Sequence, residues 1–269
     1  MVHNKQSQPI GIFDSGLGGL SITKTIIDLL PQESIIYFGD TAHLPYGDKS
    51  ATTIQGYVAK IVDLLLHKNC KLILIACSSA SAAAYEAIKN QIDDRALLIN
   101  AIDPVITHIR DNYHNQVIGL IGTKQTVKSN VYQQKIAALK RNITLHALAT
   151  PLLVPIIEEG FMEHVIMESA LQEYLSHPNL QNIQALILSC THYPIIKNKV
   201  AKFYTTGNII DPNAIVAHQV KTVLEQYNLC SRVATPTRTF YVSDYTTAFA
   251  NNAKLFFQQP VNLIQYELL

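Results

Sequence analysis

The run LILSCTHYPII (186–196) carries an aliphatic stretch straight into a thiol, a hydroxyl and an imidazole. Its apolar part lacks the alternation of a half-exposed strand, so it is predicted as a parallel strand covered on both faces. LILIACSSASAAAY (72–85) is built the same way, with an apolar run, then Cys77, then hydroxyls. The two cysteines are separated by about the length of one small α/β lobe. Each half of the chain thus presents one thiol at the end of a strand.

Outward from these runs, short β-rich segments alternate with segments of helical periodicity. PIGIFDSG (9–16), SIIYFGD (34–40), ALLINAI (96–102), QVIGLIGT (116–123), TLHALAT (144–150) and NIID (208–211) read as strands. Helices are predicted over 20–31, 53–69, 78–92, 104–113, 126–139, 163–175 and 194–204. Strand–helix alternation implies βαβ units and mainly parallel sheets, hence an α/β fold. Two similar lobes, each a mainly parallel sheet flanked by helices, are expected to face each other across a cleft holding the active site.

The bulk properties narrow the function. The chain has 269 residues, 48% of them hydrophobic, and a formal net charge of +1. A near-neutral balance without a Lys/Arg block argues against a dedicated nucleic-acid binder, so no nucleic acid is expected as a partner. MVHNKQSQP (1–9) is polar and leads directly into the first strand, without a signal-peptide core. No segment approaches the roughly 18 apolar residues of a membrane span, so a soluble, cytoplasmic protein is expected. Cys70, Cys77, Cys190 and Cys230 are too few and scattered for a disulfide framework. Cys70 and Cys230, among polar turn residues, are expected to be buried free thiols.

Ligand crevices of parallel sheets form at the carboxyl ends of the strands. Four such loops carry unusual chemistry: FDSGLGG (13–19), FGDTAHLPYG (38–47), ACSSAS (76–81) and SCTHYP (189–194). A cysteine in the first turn of a helix sees unpaired N–H groups, which lower its pKa and favour thiolate. Both Cys77 and Cys190 are expected in that position. The residues alone leave two readings open: an acid/base pair flanking a small substrate, or two buried structural thiols. Metal is not expected, because Cys190 and His192 supply only two ligands and no CxxC is present. No GxSxG elbow supports a hydrolase. GLGGLS (16–21) lacks the third glycine of a dinucleotide loop and reads as a tight turn using glycine's backbone freedom, with Asp14 and Ser15 exposed to the cleft. Asp14 serves either as a helix cap or as a group tuning the thiols. His192 is either a satisfied histidine or a proton partner of Cys190.

IGIFDSGLGGLS (10–21), YFGDTAHLPYG (37–47), IACSSASAAAY (75–85) and LSCTHYPII (188–196) together resemble the cofactor-independent glutamate racemases of bacterial cell-wall synthesis. IGTKQTVKS (121–129) and PLLVPIIEEG (151–160) match the same family. The resemblance implies interconversion of L- and D-glutamate by two-base proton transfer, with no cofactor, supplying D-glutamate for peptidoglycan. Cys77 would act on the D-enantiomer and Cys190 on the L-enantiomer, assisted by Asp14 and His192 respectively. Glu158 would be a further acidic group near the second thiol, chosen over Glu159 by motif alignment alone. Ser15, Tyr46, Gly47, Ser78, Ser79, Thr126, Thr191 and His192 would surround the substrate, along with Asp14.

The family pattern also implies a discontinuous first lobe, 1–101 plus 211–269, a second lobe, 102–210, and a homodimer. A relative acting on aspartate would share the two cysteines without the DSGLGG and PYG motifs. One departure stands out: Ser78 follows Cys77 where the family carries asparagine. Serine has one hydroxyl in place of an amide, and an unmet buried polar group costs about 1–3 kcal/mol. Weaker binding of glutamate, another acid as substrate, or a non-catalytic glutamate-binding regulatory protein are the consequences to be tested.

Overall fold

The computed structural model describes residues 5–268. Residues 1–4 of the polar leader and residue 269, the outer ends of the expected first lobe, lie outside this range. The first part of the chain forms β1 (Ile10–Asp14), α1 (Gly19–Leu29), β2 (Ile35–Gly39), α2 (Ala51–His67), β3 (Leu72–Ile75), α3 (Ser78–Ile92) and β4 (Leu97–Asn100). The middle part forms α4 (Asp103–Asn112), β5 (Val117–Gly122), α5 (Lys124–Lys128), α6 (Val131–Ala138), β6 (Thr144–Ala149), α7 (Leu153–Glu158), α8 (Val165–Leu175), β7 (Ala185–Ser189), α9 (Lys197–Phe203) and β8 (Asn208–Ile210). The last part adds α10 (Pro212–Gln226), β9 (Arg238–Val242), α11 (Thr247–Phe257) and β10 (Leu263–Gln265).

Two parallel sheets result, ordered β10-β9-β2-β1-β3-β4 and β6-β5-β7-β8. The segment β2-β1-β3-β4 and the whole second sheet share one strand order, so the two sheets are copies of one plan. β3 and β7 hold equivalent places, and each is followed within two residues by a cysteine, Cys77 and Cys190. Every residue of β1, β3 and β7 is buried, as their unbroken apolar runs require. Helix α2 shows the complementary logic. Ile54, Val58, Ile61, Val62 and Leu65 recur at helical spacing and are buried, while Ser50 caps the start by accepting the Thr53 N–H at 3.2 Å.

The chain passes between the sheets after β4 and again after β8. At the first crossing Asn100 Oδ1 accepts the N–H groups of Ile102 and Asp103 at 2.8 and 2.9 Å. At the second, Asp211 Oδ1 accepts the Asn213 N–H at 3.0 Å and Pro212 opens α10. Beneath the first sheet lies a buried ion pair. Lys71 Nζ donates to Glu33 Oε2 at 2.6 Å and to the carbonyls of Gln6 and Leu229, and Glu33 Oε1 accepts the Ser231 N–H at 2.7 Å. It joins four separate stretches of chain.

Two expected helices differ. The helix predicted over 126–139 is interrupted, because Ser129 Oγ donates to the Thr126 carbonyl and Asn130 takes the left-handed conformation at φ +55°. The segment 194–204 begins with a 3-10 turn, Tyr193–Ile196, before α9, since Pro194 brings no N–H to the first turn. Cys70 is buried as expected, but Cys230 is only partly so.

Candidate active site

A cavity of about 590 Å³, part of it open to solvent, lies where the two sheets face one another. Ser15, Tyr46, Gly47, Cys77, Ser78 and Ser79 reach it from the first sheet's loops. Cys190, Thr191 and His192 reach it from the second. Both thiols therefore stand on the wall of one space, which is a matter of strand order. β3 and β7 sit beside the central strands β1 and β5, so their carboxyl ends open at the middle of each sheet.

Cys77 is the N-cap of α3. Its Sγ accepts the Ala80 N–H at 3.4 Å and its thiol donates to Ser15 Oγ at 3.7 Å. The expected depression of its pKa does not follow. Burial, and next the charge of Asp14, outweigh those two hydrogen bonds and push the thiol up to about 12. Cys77 rests protonated.

Cys190 follows β7 and is not in the first turn of a helix, correcting the sequence expectation: a 3-10 turn begins only at Tyr193. Its neighbour is His192 instead. Sγ lies 3.7 Å from His192 Nδ1, and His192 Nε2 lies 2.8 Å from Glu158 Oε1. Burial alone would lower the imidazole, yet hydrogen bonds and charge from Cys190 and Glu158 carry it well above its usual value. The carboxylate–imidazole–thiol chain can hold a proton beside Cys190. Glu158 closes α7 and meets His192, whereas Glu159 is exposed, so the geometry separates two adjacent residues that the motif did not.

Asp14 is fully buried and does not line the cavity, which overturns its expected exposure. Its Oδ2 accepts the N–H groups of Gly16 and Gly19 at 3.3 and 2.9 Å, and its Oδ1 accepts the Thr191 hydroxyl at 3.3 Å. It caps the entry to α1 and bonds across to the second sheet's loop. The glycines around it are also explained differently. None of Gly16, Gly18 and Gly19 has a positive φ; they are needed for close approach. A Cβ on Gly18 would lie 2.4 Å from Thr191 Oγ1 and 2.6 Å from His192 Nδ1.

Ser79 Oγ and Thr123 Oγ1 are 2.8 Å apart, linking α3 to the loop before α5. Thr126 sits behind Thr123, at 3.1 Å between hydroxyls, and is not on the cavity wall, contrary to expectation. Tyr46 donates its hydroxyl to Asp40 Oδ2, which fixes the loop and turns Gly47 against Thr123. Among the described residues Ser78 Oγ makes no hydrogen bond to protein. Thr123 and Thr150 line the cavity but were missed in the sequence. The internal likeness of the halves could have found them: Thr123 follows β5 and Thr150 follows β6, as Ser15 follows β1 and Asp40 follows β2.

Comparison with known proteins places this geometry. Residues 10–220 match the Asp/Glu/Hydantoin racemase family model. Glutamate racemase 3 of Caldanaerobacter subterraneus subsp. tengcongensis is 32% identical, over 94% of this chain and 92% of that protein. Glutamate racemase of Neisseria meningitidis is 34% identical, over 97% of this chain and 96% of that one. The crystal structure of glutamate racemase from Francisella tularensis in complex with D-glutamate superposes with a TM-score of 0.92 and 37% identity, covering 98% of both chains. Two parallel sheets of one strand order, a thiol from each on a shared cavity, and these matches along nearly the whole chain show that it belongs to the Asp/Glu/Hydantoin racemase family, among the glutamate racemases.

Proposed function

We propose that the cavity interconverts L- and D-glutamate without a cofactor, by proton transfer between the α-carbon and two cysteines. The carrying observation is that two buried thiols enter one cavity from opposite sheets. A proton taken on one side and returned on the other inverts the α-carbon. Cys190 is the base for L-glutamate, with His192 and Glu158 holding the proton inventory beside it. Cys77, resting as a thiol, donates to the opposite face. For D-glutamate the roles reverse. The hydroxyls of Ser15, Ser78, Ser79, Thr123 and Thr191 orient the polar ends of the substrate, and the buried setting of the thiols limits water at the α-carbon.

Asp14 acts from beneath the wall, fixing Thr191 and bearing on the charge of Cys77. The two lobes are 1–101 plus 211–269 and 102–210, a division that the membership of the two sheets supports. D-Glutamate so formed feeds peptidoglycan synthesis in the cytoplasm. No helix among the described residues is long and apolar enough to cross a membrane. Exposed Leu152, Phe161, Val165 and Ile166, on and beside α7 and α8, support a homodimer.

The test is to incubate each glutamate enantiomer with the protein in deuterated buffer, following the α-proton by NMR and optical activity by circular dichroism. Loss of both signals, absent in Cys77→Ala and Cys190→Ala, is the expected result. An α-proton retained by folded protein would overturn the reading. Exchange with aspartate and not glutamate would assign another substrate, and recovery of glutamate turnover in Ser78→Asn would locate the cause at Ser78.

A further inference from the structure

Helix α11 is part of the first sheet's side of the molecule, packed against α1, yet it touches the acid–base apparatus of the second. Phe256 is 2% exposed, and its ring lies edge-to-face with His192, centroids 5.3 Å apart at 83°. One turn earlier, Asn252 Nδ2 donates to the carbonyl of Glu158. That carbonyl ends α7 and has no partner within its own helix, so Asn252 caps the turn that carries Glu158. Gly18, at the entry to α1, approaches the same imidazole, as the 2.6 Å from its virtual Cβ to Nδ1 shows. The imidazole is thus confined by α1 and α11 while its two nitrogens face Cys190 and Glu158. Among the described residues no hydrogen bond from α11 reaches Cys77, Ser15 or Asp14, the groups around the other thiol.

We propose that Phe256 and Asn252 are positioning residues for one half-reaction only: they hold His192 and Glu158 in register with Cys190 and leave Cys77 untouched. The inference rests on the two-thiol reading above. Without the aromatic ring, the imidazole can turn about its Cβ–Cγ bond and lose Sγ. Without the amide, the last turn of α7 frays and Glu158 moves from Nε2. In either case proton transfer at Cys190 slows, in both its removal from L-glutamate and its return to form L-glutamate. Transfer at Cys77 keeps its own partners.

Racemisation has an equilibrium constant of one, so kcat/KM must fall equally in both directions, and a rate alone cannot reveal which thiol is affected. Primary deuterium isotope effects can. With α-deuterated L-glutamate, Cys190 removes the label, so a slower Cys190 step makes the isotope effect on kcat/KM rise. With α-deuterated D-glutamate, Cys77 removes the label before the slow step, so the effect falls from its kinetic value toward the smaller equilibrium isotope effect of carbon-to-sulfur transfer. The experiment measures both effects in the unaltered protein and in Phe256→Leu, Asn252→Ala and Phe257→Leu. Phe257 is on the same helix and equally buried, but packs edge-to-face on Phe240, so it controls for general loosening of α11.

The expected result is a fall in kcat/KM of about ten- to a hundredfold, in keeping with misplacement of a catalytic group, with opposite isotope shifts in Phe256→Leu and Asn252→Ala alone. If Phe256→Leu does not fold, Asn252→Ala, at a half-buried site, carries the test. Isotope effects kept in their original ratio in the folded variants, or the same asymmetry in Phe257→Leu, would overturn the positioning role while racemisation stands. No turnover of either enantiomer by the unaltered protein would overturn both proposals.

Discussion

At the scale of single residues, each thiol is governed by a different kind of neighbour. Cys77 has an N–H, a hydroxyl and the buried charge of Asp14, whereas Cys190 has an imidazole backed by a carboxylate. This difference makes Glu158 and Glu159 a sharp comparison. Glu158→Gln keeps the shape of the side chain but removes the carboxylate whose hydrogen bond and charge, after the hydrogen bond to Cys190, help raise the His192 pKa, and should lower racemase kcat/KM by about a hundredfold, the lower end of the usual range of acid–base assistance. Glu159→Gln, at an exposed site, should leave it unchanged; a racemisation assay on the two variants decides. The cysteines, His192 and Thr191 were legible in the sequence because strand ends in a parallel sheet must open on a crevice. The depth of Asp14 was not legible. Its hydrogen bonds to Gly16 and Gly19 are local, but the Thr191 hydroxyl that completes its surroundings is far away in sequence. The pKa of Cys77 failed for a related reason: helix-terminus reasoning counts the Ala80 N–H and cannot count burial.

Among the elements, α2 and the α5–α6 region show opposite relations between local signal and structure. The apolar spacing of α2 was visible in the sequence, whereas the expected span 53–69 missed its Ser50 cap and ran over Asn69, which takes the left-handed conformation just past the helix end at His67. Within it Gly56 is exposed, helical and has open space at its Cβ position. Gly56→Ala should therefore stabilise the protein by about 0.5–1 kcal/mol, read as a higher urea midpoint at unchanged slope. Around Thr126 the apolar pattern ran on while the backbone did not. Ser129 turns its hydroxyl onto the Thr126 carbonyl and the helix breaks there, while Thr123, at the N-cap of α5, stands on the cavity wall. Periodicity marks which face is buried; it does not register a hydroxyl that competes for the helix's own acceptors.

For the whole molecule, buried ionisable groups set the limits of stability. Lys71 and Glu33 are almost fully enclosed, and the pair holds together the first loop, the start of β3 and the strand-bound return after α10. Lys71→Met leaves a buried carboxylate without its cation and should cost about 3–5 kcal/mol. Adding Glu33→Gln should recover part of that loss in the same urea titration. Cys70 and Cys77 act at the alkaline end. Burial raises each to about 12 from a usual 9, so the folded chain keeps protons that the unfolded chain gives up. Their contribution is complete below about pH 9 and is lost as pH rises toward 12, at roughly 1.4 kcal/mol per pH unit for each thiol. The fall in melting temperature between pH 8 and pH 11 should accordingly be shallower in Cys70→Ala than in the unaltered protein. The two-lobed plan itself was readable from two like strand–cysteine runs, whereas the last strands were not, since β9 takes its place only by pairing with β2, far back in the chain.

That long-range pairing bears on how the molecule is born. All four strands of the second sheet, and every residue on the cavity wall, leave the ribosome before β9 does. Until then the outer edge of β2, Ile35–Gly39, is a row of open N–H and C=O groups with apolar side chains, a ready template for another chain. A nascent or truncated polypeptide ending before Arg238 would contain every residue of the cavity wall, without the α11 residues that position His192 and Glu158, and would be the form most prone to aggregate, so the final strands act as the molecule's own protection against its neighbours on the polysome.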